Sequence, residues 1–520
     1  MMQRPTVAAC AGLVVLLHAC IAWAQTNHEI DVMIEAWQLP EAIAAVEKFE
    51  DQNPGAVGHS SYLRAKIAFF EGRYDEALQR LDQALTQVER ADWQELRELI
   101  AATKEVTKDH EVHRSPRGYF EISIPPGKDR VLLGYAFEAL DRAYEALADE
   151  LGYRPATPVR VEVYDHTSVL AKVSILTEEE IRTSGTIALC KYNRLMITSP
   201  KALMRGYGWV DTLVHEYVHY VINQRTANRV PIWMHEGLAK FLERRWRGPD
   251  AHRMAPSSEW LLQKRVKEGN LITFAQMHPS MAKLPSQEDA AVAFAEVYAA
   301  MEYLREKAGP GAFKRVLDLI ADGEEATTAF AAVLGVSFPE FERQWRLALK
   351  ERPPIDYPEG QGYEEKLVFK DDASAKTELS QIQQPQARDH LNLGQMLQAR
   401  GRASAAVVEY QKAVHLMGEQ NPMLQTRLAQ SLLAAGRPQE ALDALVPIRD
   451  TFPSYVSTWI QLGRAAYELG KYPDARDYLE EAARINPFDP EVHERLAMVY
   501  DKLGQPARAQ QSRDFVSLVQ

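Results

Sequence analysis

The stretch His215-Glu216-Tyr217-Val218-His219, or HEYVH, decides how this chain is interpreted. The residues around it predict a helix over 209–223, on which positions four apart share one face. His215 and His219 can therefore turn their imidazole nitrogens toward one metal ion.

A second predicted helix follows the turn at Pro231 and reads WMHEGLAKFLE over 233–243. Its Glu236 can supply a third ligand, and two imidazoles with one carboxylate form a set that binds zinc. Catalytic zinc leaves a further position for water and makes that water more acidic. Glu216 can then accept the proton. The spacing predicts one zinc ion per chain, in an arrangement suited to peptide hydrolysis.

The alternative is that HEYVH is a chance string on an amphipathic helix. A core-facing stripe is present in the same segment, formed by Val210, Val214, Tyr217, Val218 and Val221. HExxH alone is only suggestive, but the glutamate-bearing helix at this short distance after it favours a metal site.

The combined pattern resembles the gluzincin metallopeptidases, in which HExxH is followed by a helix reading roughly WxxEGxAxxxE. The matching positions of the second helix are Trp233, Glu236, Gly237, Ala239 and Glu243. The resemblance implies that His215, His219 and Glu236 bind zinc and that Glu216 is the general base. Glu243 lies two turns along the same face as Glu236, so it either orients a ligand imidazole or is a solvated surface carboxylate.

Two departures from well-known gluzincins indicate which branch of the family the chain resembles. The GxMEN-type motif of the aminopeptidase N-type enzymes is not found upstream, so recognition of a free amino terminus is unsupported. Thermolysin-like enzymes have an aspartate where this chain has Lys240. The chain is therefore more similar to a smaller, peptidase MA-like branch.

Upstream segments predict a small mixed sheet, and hence an α+β catalytic domain at 115–350. The predicted strands are 119–124, 159–164, 186–190 and 195–198, with a helix at 129–151 after the first. In the family that the chain resembles, an edge strand lines the cleft and pairs with an extended substrate. Gly185, Thr186 and Ile187 are the candidates for that edge, and an ordinary hairpin strand is the alternative.

Other polar or aromatic residues are candidates for roles near the predicted metal site. Tyr298, with Tyr303 as a second choice, is a candidate donor to the oxyanion, and core packing is the alternative. His235 points about a quarter-turn away from Glu236 and is a poor ligand. His110 and His113 form an HxxH pair that is interpreted as part of a solvated linker.

A repeat is the second strong feature of the sequence. Gly401, Gly436, Gly470 and Gly504 recur at intervals of 35, 34 and 34 residues. The period predicts a helix-turn-helix array and resembles the tetratricopeptide repeat. The array is predicted over 387–520 after a linker at 351–386, and a shorter one over 28–110. Such arrays either pack structurally or bind a protein or peptide partner.

The amino-terminal 24 residues predict a secretory signal peptide, because Arg4 precedes an apolar run and Ala22-Trp23-Ala24 forms a cleavage site. An uncleaved anchor is the alternative, although the run is short. Cys20 half-resembles a bacterial lipoprotein box, so membrane attachment is expected only if Cys20 is lipidated. We therefore expect an exported chain, periplasmic or secreted. Cleavage would leave Cys190 as the single cysteine, without a disulfide partner in the chain.

The formal net charge is −12, and the chain has no long run of lysine and arginine. Nucleic acid is therefore not an expected partner. The sequence predicts an exported zinc endopeptidase whose repeats bind a protein substrate or partner. One alternative is a tetratricopeptide scaffold or chaperone-like adaptor with a slow or vestigial metallopeptidase site. Hydrolysis of a nonpeptide amide is a third possibility.

Overall fold

The computed structural model describes residues 26–355, 357, 382 and 384–520. The predicted signal peptide, Cys20 and the middle of the predicted linker lie outside the described residues. The amino-terminal part is built from packed helices. They are α1 (26–35), α2 (Leu39–Gln52), α3 (Val57–Phe70), α4 (Tyr74–Gln87) and α5 (Ala91–Thr107).

A mixed sheet follows these helices. Its strands are β1 (Glu111–Arg114), β2 (Phe120–Ile124), β3 (Val159–Tyr164), β4 (Ala188–Lys191) and β5 (Arg194–Thr198). The strand order is β1-β2-β3-β5-β4, with β2, β3 and β5 parallel and with β1 and β4 antiparallel to their neighbours. Parallel strands need both faces covered, and β5 is accordingly buried along its whole length.

The amino-terminal helices are anchored on this sheet. The Arg160 guanidinium of β3 donates to the carbonyl of Phe70 at 2.6 Å. The ring of Trp37 lies 5.4 Å from that of Tyr220. The first repeats are therefore packed against the part of the chain that carries the HEYVH motif.

The interpretation of His110 and His113 as solvated linker is wrong. His113 lies in β1 and pairs with Ile122 of β2, while His110 Nδ1 is 3.1 Å from Ser123 Oγ. Strand β1 has a neighbour on one side only and is half-exposed, so polar side chains are tolerated there. Main-chain pairing with β2, rather than an apolar pattern, forms this strand.

Helices surround the sheet and continue beyond it. They are α6 (Leu132–Leu151), α7 (Thr167–Lys172), α8 (Glu178–Ser184), α9 (Trp209–Thr226), α10 (Ile232–Leu242), α11 (Pro256–Glu268), α12 (Gln287–Ala308), α13 (Ala312–Ala321), α14 (Ala326–Leu334) and α15 (Phe338–Lys350). Short 3₁₀ turns occupy Lys128–Val131, Pro200–Ala202, Arg245–Arg247 and Met281–Lys283.

Helix α9 carries the HEYVH motif and packs on α6, β4 and β5. Its Tyr217, Val218 and Val221 are buried, as the predicted apolar stripe requires. The helix runs one turn beyond the predicted end, to Thr226. It stops where Ala227 enters the left-handed region with φ of 50°, and the chain then returns as α10.

Paired helices form the carboxyl-terminal array. They are α16 (Pro385–Ala399), α17 (Ala403–Met417), α18 (Pro422–Ala434), α19 (Pro438–Thr451), α20 (Val456–Glu468), α21 (Tyr472–Ile485), α22 (Pro490–Lys502) and α23 (Pro506–Val519). The recurring glycines of the sequence all lie in the turns between paired helices, with φ between 68° and 73°. Residues with a Cβ adopt that conformation at a cost, which explains the period.

The array folds back onto the central domain. Lys128 Nζ donates to the carbonyl of Val519 at 2.7 Å, and the N–H of Tyr207 donates to the carbonyl of Ile485 at 3.1 Å. Within the described residues, no helix combines the length and the apolar character needed to cross a membrane.

Candidate metal centre

Helices α9 and α10 cross so that three predicted ligands meet. His215 Nε2 and His219 Nε2 are 3.1 Å apart, and Glu236 Oε2 lies 3.4 Å from the first and 3.5 Å from the second. These three side chains form a group with the composition and spacing of a metal site. All three are mostly buried, so their donor atoms are shielded from bulk water.

The triangle of donor atoms fits zinc. Zinc binds imidazole nitrogen and carboxylate oxygen at about 2.0–2.2 Å, and tetrahedral ligands at that radius lie about 3.3–3.6 Å from one another. The three separations observed are close to this range. Two imidazoles with one carboxylate are also a donor set found in catalytic zinc sites, where three protein ligands leave one position open.

Glu243 determines which nitrogen of His215 is available. Glu243 Oε2 lies 3.1 Å from His215 Nδ1, and an ionised carboxylate can only accept a hydrogen bond. His215 therefore carries its proton on Nδ1 and presents the lone pair of Nε2 to the metal position. Lys240 Nζ donates to both oxygens of Glu243 at 3.1 Å, which holds this carboxylate in place.

A second chain of hydrogen bonds orients His219. His235 Nε2 lies 2.8 Å from the amide oxygen of Asn223, which only accepts, so His235 donates from Nε2. His235 Nδ1 is then an acceptor, and it lies 2.5 Å from His219 Nδ1. His219 therefore donates from Nδ1 and presents Nε2 to the metal position. Burial and the charge of His219 lower the pKa of His235 to about 3, which keeps His235 neutral.

The sequence indicates that His235 is a poor ligand, and His235 is not part of the donor triangle. Its contact with His219 is visible only in the structure. Asn223 was missed altogether. One signal was available, because Asn223 follows His219 by one turn of α9 and so lies on the same helix face. The position of His235 could not be predicted, since it depends on how α10 crosses α9.

The electrostatics of the triangle favour a positive charge. Burial acts to lower the pKa of His215, but hydrogen bonds to Glu236 and Glu243 outweigh burial and raise the pKa to about 10. Burial acts to raise the pKa of Glu236, yet the adjacent His219 and His215 hold that pKa well below its ordinary range. The two imidazole lone pairs and the carboxylate oxygen all carry negative charge density. They therefore repel one another unless a cation or a proton lies between them.

Glu216 lies on the strand side of the site. Burial raises the pKa of its carboxyl group, while the nearby histidines and a hydrogen bond from the backbone N–H of Cys190 act to lower that pKa. Burial and the Glu216 charge in turn raise the pKa of the Cys190 thiol, so the thiol stays protonated. Strand β4, which contains Cys190, is therefore the sheet edge that borders the candidate general base.

The strand predicted around Gly185, Thr186 and Ile187 begins later in the structure. Thr177 and Glu180 form a capping box that starts α8, and Gly185 ends α8 in the left-handed conformation with φ of 71°. Strand β4 therefore starts at Ala188, although the carbonyl of Ile187 already accepts from Thr198 at 2.8 Å. The T-x-x-E signal of this cap is present in the sequence at 177–180 and could have indicated the helix.

Tyr298 lies on α12, where its ring packs 5.4 Å from that of Phe241. It is 3% exposed and borders a cavity that also reaches Glu243. This environment agrees with the core-packing alternative, and a role as oxyanion donor stays a prediction. The Tyr303 hydroxyl donates to Gln344 at 3.2 Å.

Comparison with known proteins identifies the families to which two kinds of domain in this chain are similar. Residues 139–351 match the Peptidase MA superfamily, and tetratricopeptide repeat models match residues 58–90, 426–490 and 460–512. The chain thus contains a Peptidase MA superfamily domain flanked by tetratricopeptide repeats, and the predicted resemblance and fold class are confirmed. The match begins inside α6, so β1 and β2 precede it although they belong to the same sheet. The domain indicates a peptidase-like function, and the repeats indicate protein interaction.

Several solved structures that resemble parts of the chain are tetratricopeptide proteins. TTC0263 of Thermus thermophilus is 26% identical, with a TM-score of 0.24, over 25% of this chain and 74% of that one. The Sgt2 repeat domain of Aspergillus fumigatus is 21% identical, with a TM-score of 0.23, over 24% and 83%. The first repeat domain of Spaghetti (RPAP3), solved with an HSP90 peptide, is 20% identical, with a TM-score of 0.22, over 23% and 94%. No curated protein matches the chain significantly.

Proposed function

We propose that the chain is a zinc-dependent endopeptidase whose tetratricopeptide repeats bind a protein substrate or partner. The observation that carries the proposal is the triangle of His215, His219 and Glu236 with Glu216 beside it. The Peptidase MA superfamily match supports the same reaction class.

His215, His219 and Glu236 would hold the ion. When bound, zinc would polarise a substrate carbonyl and make a water molecule more acidic. Glu216 would accept a proton from the attacking water and would then deliver that proton to the amine that leaves as the peptide bond breaks. The backbone of Cys190 in β4 acts to lower the pKa of the Glu216 carboxyl group and so favours its ionised, proton-accepting form.

Strand β4 offers main-chain groups to an extended substrate. The carbonyl of Ile187 bonds to Thr198, and alternate residues of a strand direct their main-chain groups to opposite sides. The main-chain groups of Ala188 and Cys190 therefore point away from β5. A substrate strand that pairs with this edge would place its backbone, whatever its sequence, beside Glu216.

Export to the periplasm or the medium is part of the proposal, supported by the predicted signal peptide. A soluble product beginning at Gln25 is therefore the form to test.

Because zinc is held by other residues, Glu216→Gln removes the base and leaves the ligands intact.

The test compares the parent protein with Glu216→Gln. Both are purified from residue 25 onward, assayed for zinc by elemental analysis and incubated with casein, an unstructured protein. We expect one zinc ion per chain in each and cleavage by the parent alone. Equal cleavage by both proteins would refute the role of Glu216. Bound zinc with cleavage by neither would favour the adaptor alternative.

A further inference from the structure

The carboxyl-terminal array and the central domain line a large, partly open cavity between them. Its volume is about 820 Å³. On the side of the central domain it is lined by Thr212, one turn before His215 on α9, and by Glu243, which bonds to His215. On the other side it is lined by Trp459 of α20 and Tyr478 of α21.

The two walls are held together by a partly buried ion-pair network. Arg247 Nε lies 2.9 Å from Asp211 Oδ1 of α9, and Arg247 Nη1 lies 2.7 Å from Glu481 Oε2 of α21. Burial acts to lower the pKa of Arg247, but its two acidic partners raise that pKa. Because one guanidinium bridges both walls next to the hydrogen bond from Tyr207 to Ile485, the array has a defined position over the cavity.

We infer that the carboxyl-terminal repeats form one wall of the substrate cleft and bind an extended, unfolded polypeptide through Trp459 and Tyr478. The inference rests on the proposed peptidase function, since it assigns the cavity to the substrate of the metal centre. It goes further by assigning substrate contact to particular repeat side chains.

The charge of the cavity favours a polypeptide over a polyanion. Seven of its lining residues are lysine or arginine and six are aspartate or glutamate, so the lining has almost no net charge. Arg484, for example, lies 3.1 Å from Glu480 and 3.3 Å from Glu481, and Arg449 lies 2.8 Å from Asp450. Cations already paired with carboxylates attract a nucleic acid or another polyanion weakly.

The size and aromatic surface of the cavity also fit a peptide. A volume of about 820 Å³ is at the upper end of the range for sites that enclose a small organic ligand, so it can hold several residues of an extended chain. The rings of Trp459 and Tyr478 lie 6.2 Å apart. Trp459 Nε1 donates to the carbonyl of Pro453 at 2.7 Å, which fixes the indole before any ligand arrives. A fixed aromatic surface loses little entropy when it binds.

The test measures binding without turnover. Fluorescein-labelled casein is titrated with zinc-loaded Glu216→Gln, and Kd is obtained from fluorescence anisotropy. Trp459→Ala and Tyr478→Leu are added separately to this background. Tyr467→Ala is the matched control, because Tyr467 is a half-buried aromatic residue of the same helix as Trp459 and packs on Tyr472 at 5.5 Å instead of bordering the cavity.

We expect Trp459→Ala and Tyr478→Leu each to raise Kd at least about tenfold, and the control to change Kd less than about twofold. Three results would overturn the inference. They are unchanged binding in both cavity variants, an equal loss of binding in the control, and an absence of binding by zinc-loaded Glu216→Gln. If Trp459→Ala does not fold, as judged by circular dichroism, Tyr478→Leu decides. Failure of the peptidase proposal is separate, since it would be seen as normal binding with no cleavage by the parent.

Discussion

Replacing His235 with leucine tests how the site orients its ligands. Leucine has a similar bulk but no acceptor, so the His219 Nδ1–H that lies 2.5 Å from His235 Nδ1 would lose its partner. Asn223, 2.8 Å from His235 Nε2, would lose its donor as well. His219 could then rotate or carry its proton on Nε2, the nitrogen that faces the metal position.

The magnitude follows from two considerations. Removing a hydrogen-bond partner of a metal-binding histidine typically weakens metal affinity by about tenfold to a hundredfold. That range corresponds to about 1.4–2.7 kcal/mol, which is also the cost of leaving a buried N–H unsatisfied. His235 is 8% exposed, so water cannot easily replace the lost partner. We therefore expect a rise of about tenfold to a hundredfold in the Kd for zinc.

The assay is competition for zinc with a chromophoric chelator, which needs no turnover. His235→Asn is the matched control, because its amide oxygen can accept from His219 Nδ1–H near the position of the lost ring nitrogen. This variant should bind zinc within about threefold of the parent. If His235→Leu binds zinc as tightly as the parent, or if the asparagine and leucine variants lose affinity equally, His235 does not orient His219 through this hydrogen bond.

Three further predictions concern stability. Burial raises the pKa of Glu296 from 4.5 to about 8, so the folded chain keeps a proton that the unfolded chain releases. The free energy of unfolding should therefore fall by up to about 5 kcal/mol between about pH 4.5 and pH 8. Denaturant unfolding of Glu296→Gln should depend less on pH, and the same pH dependence in both proteins would contradict the raised pKa of Glu296. A Cβ on Gly237 would lie 2.9 Å from the carbonyl oxygen of Val297, so Gly237→Ala should lower the free energy of unfolding by about 1–3 kcal/mol. A thermal midpoint higher than that of the parent would disprove the close packing. Arg194 Nε lies 3.0 Å from buried Glu162 Oε2, so Arg194→Met should cost about 3–5 kcal/mol of stability. Part of this loss should be regained in Arg194→Met/Glu162→Gln, whose neutral amide oxygen still accepts from the Tyr164 hydroxyl, and a single variant as stable as the parent would contradict this.

Elements with a strong local pattern were predictable from the sequence. Strand 159–164 and the helix that starts at Trp209 have the predicted positions, because continuous apolar or amphipathic patterns specify them. The 34-residue spacing of glycines predicted the repeats, because each glycine occupies a left-handed turn. Strand β1 was not predictable in this way, since its form depends on pairing with β2.

The candidate site was partly predictable for a similar reason. His215 and His219 are brought together by one helix, whose geometry is known from spacing alone. The contact between Glu243 and His215 was one of two alternatives, because it requires α10 to cross α9 at a particular angle. The hydrogen bond between His235 and His219 depends on the same crossing. The position of the carboxyl-terminal array over the cavity depends on contacts between distant parts of the chain, such as that of Arg247 with Glu481, which the sequence did not indicate.

Peptide-bond hydrolysis at the metal centre is most directly tested by identifying new amino termini in casein by mass spectrometry after incubation with zinc-loaded protein. We expect internal cuts in the digest of the parent and none in that of Glu216→Gln, with equal zinc in both proteins. An absence of new termini in the parent digest, or the same termini in both digests, would contradict a zinc endopeptidase that uses Glu216 as its base.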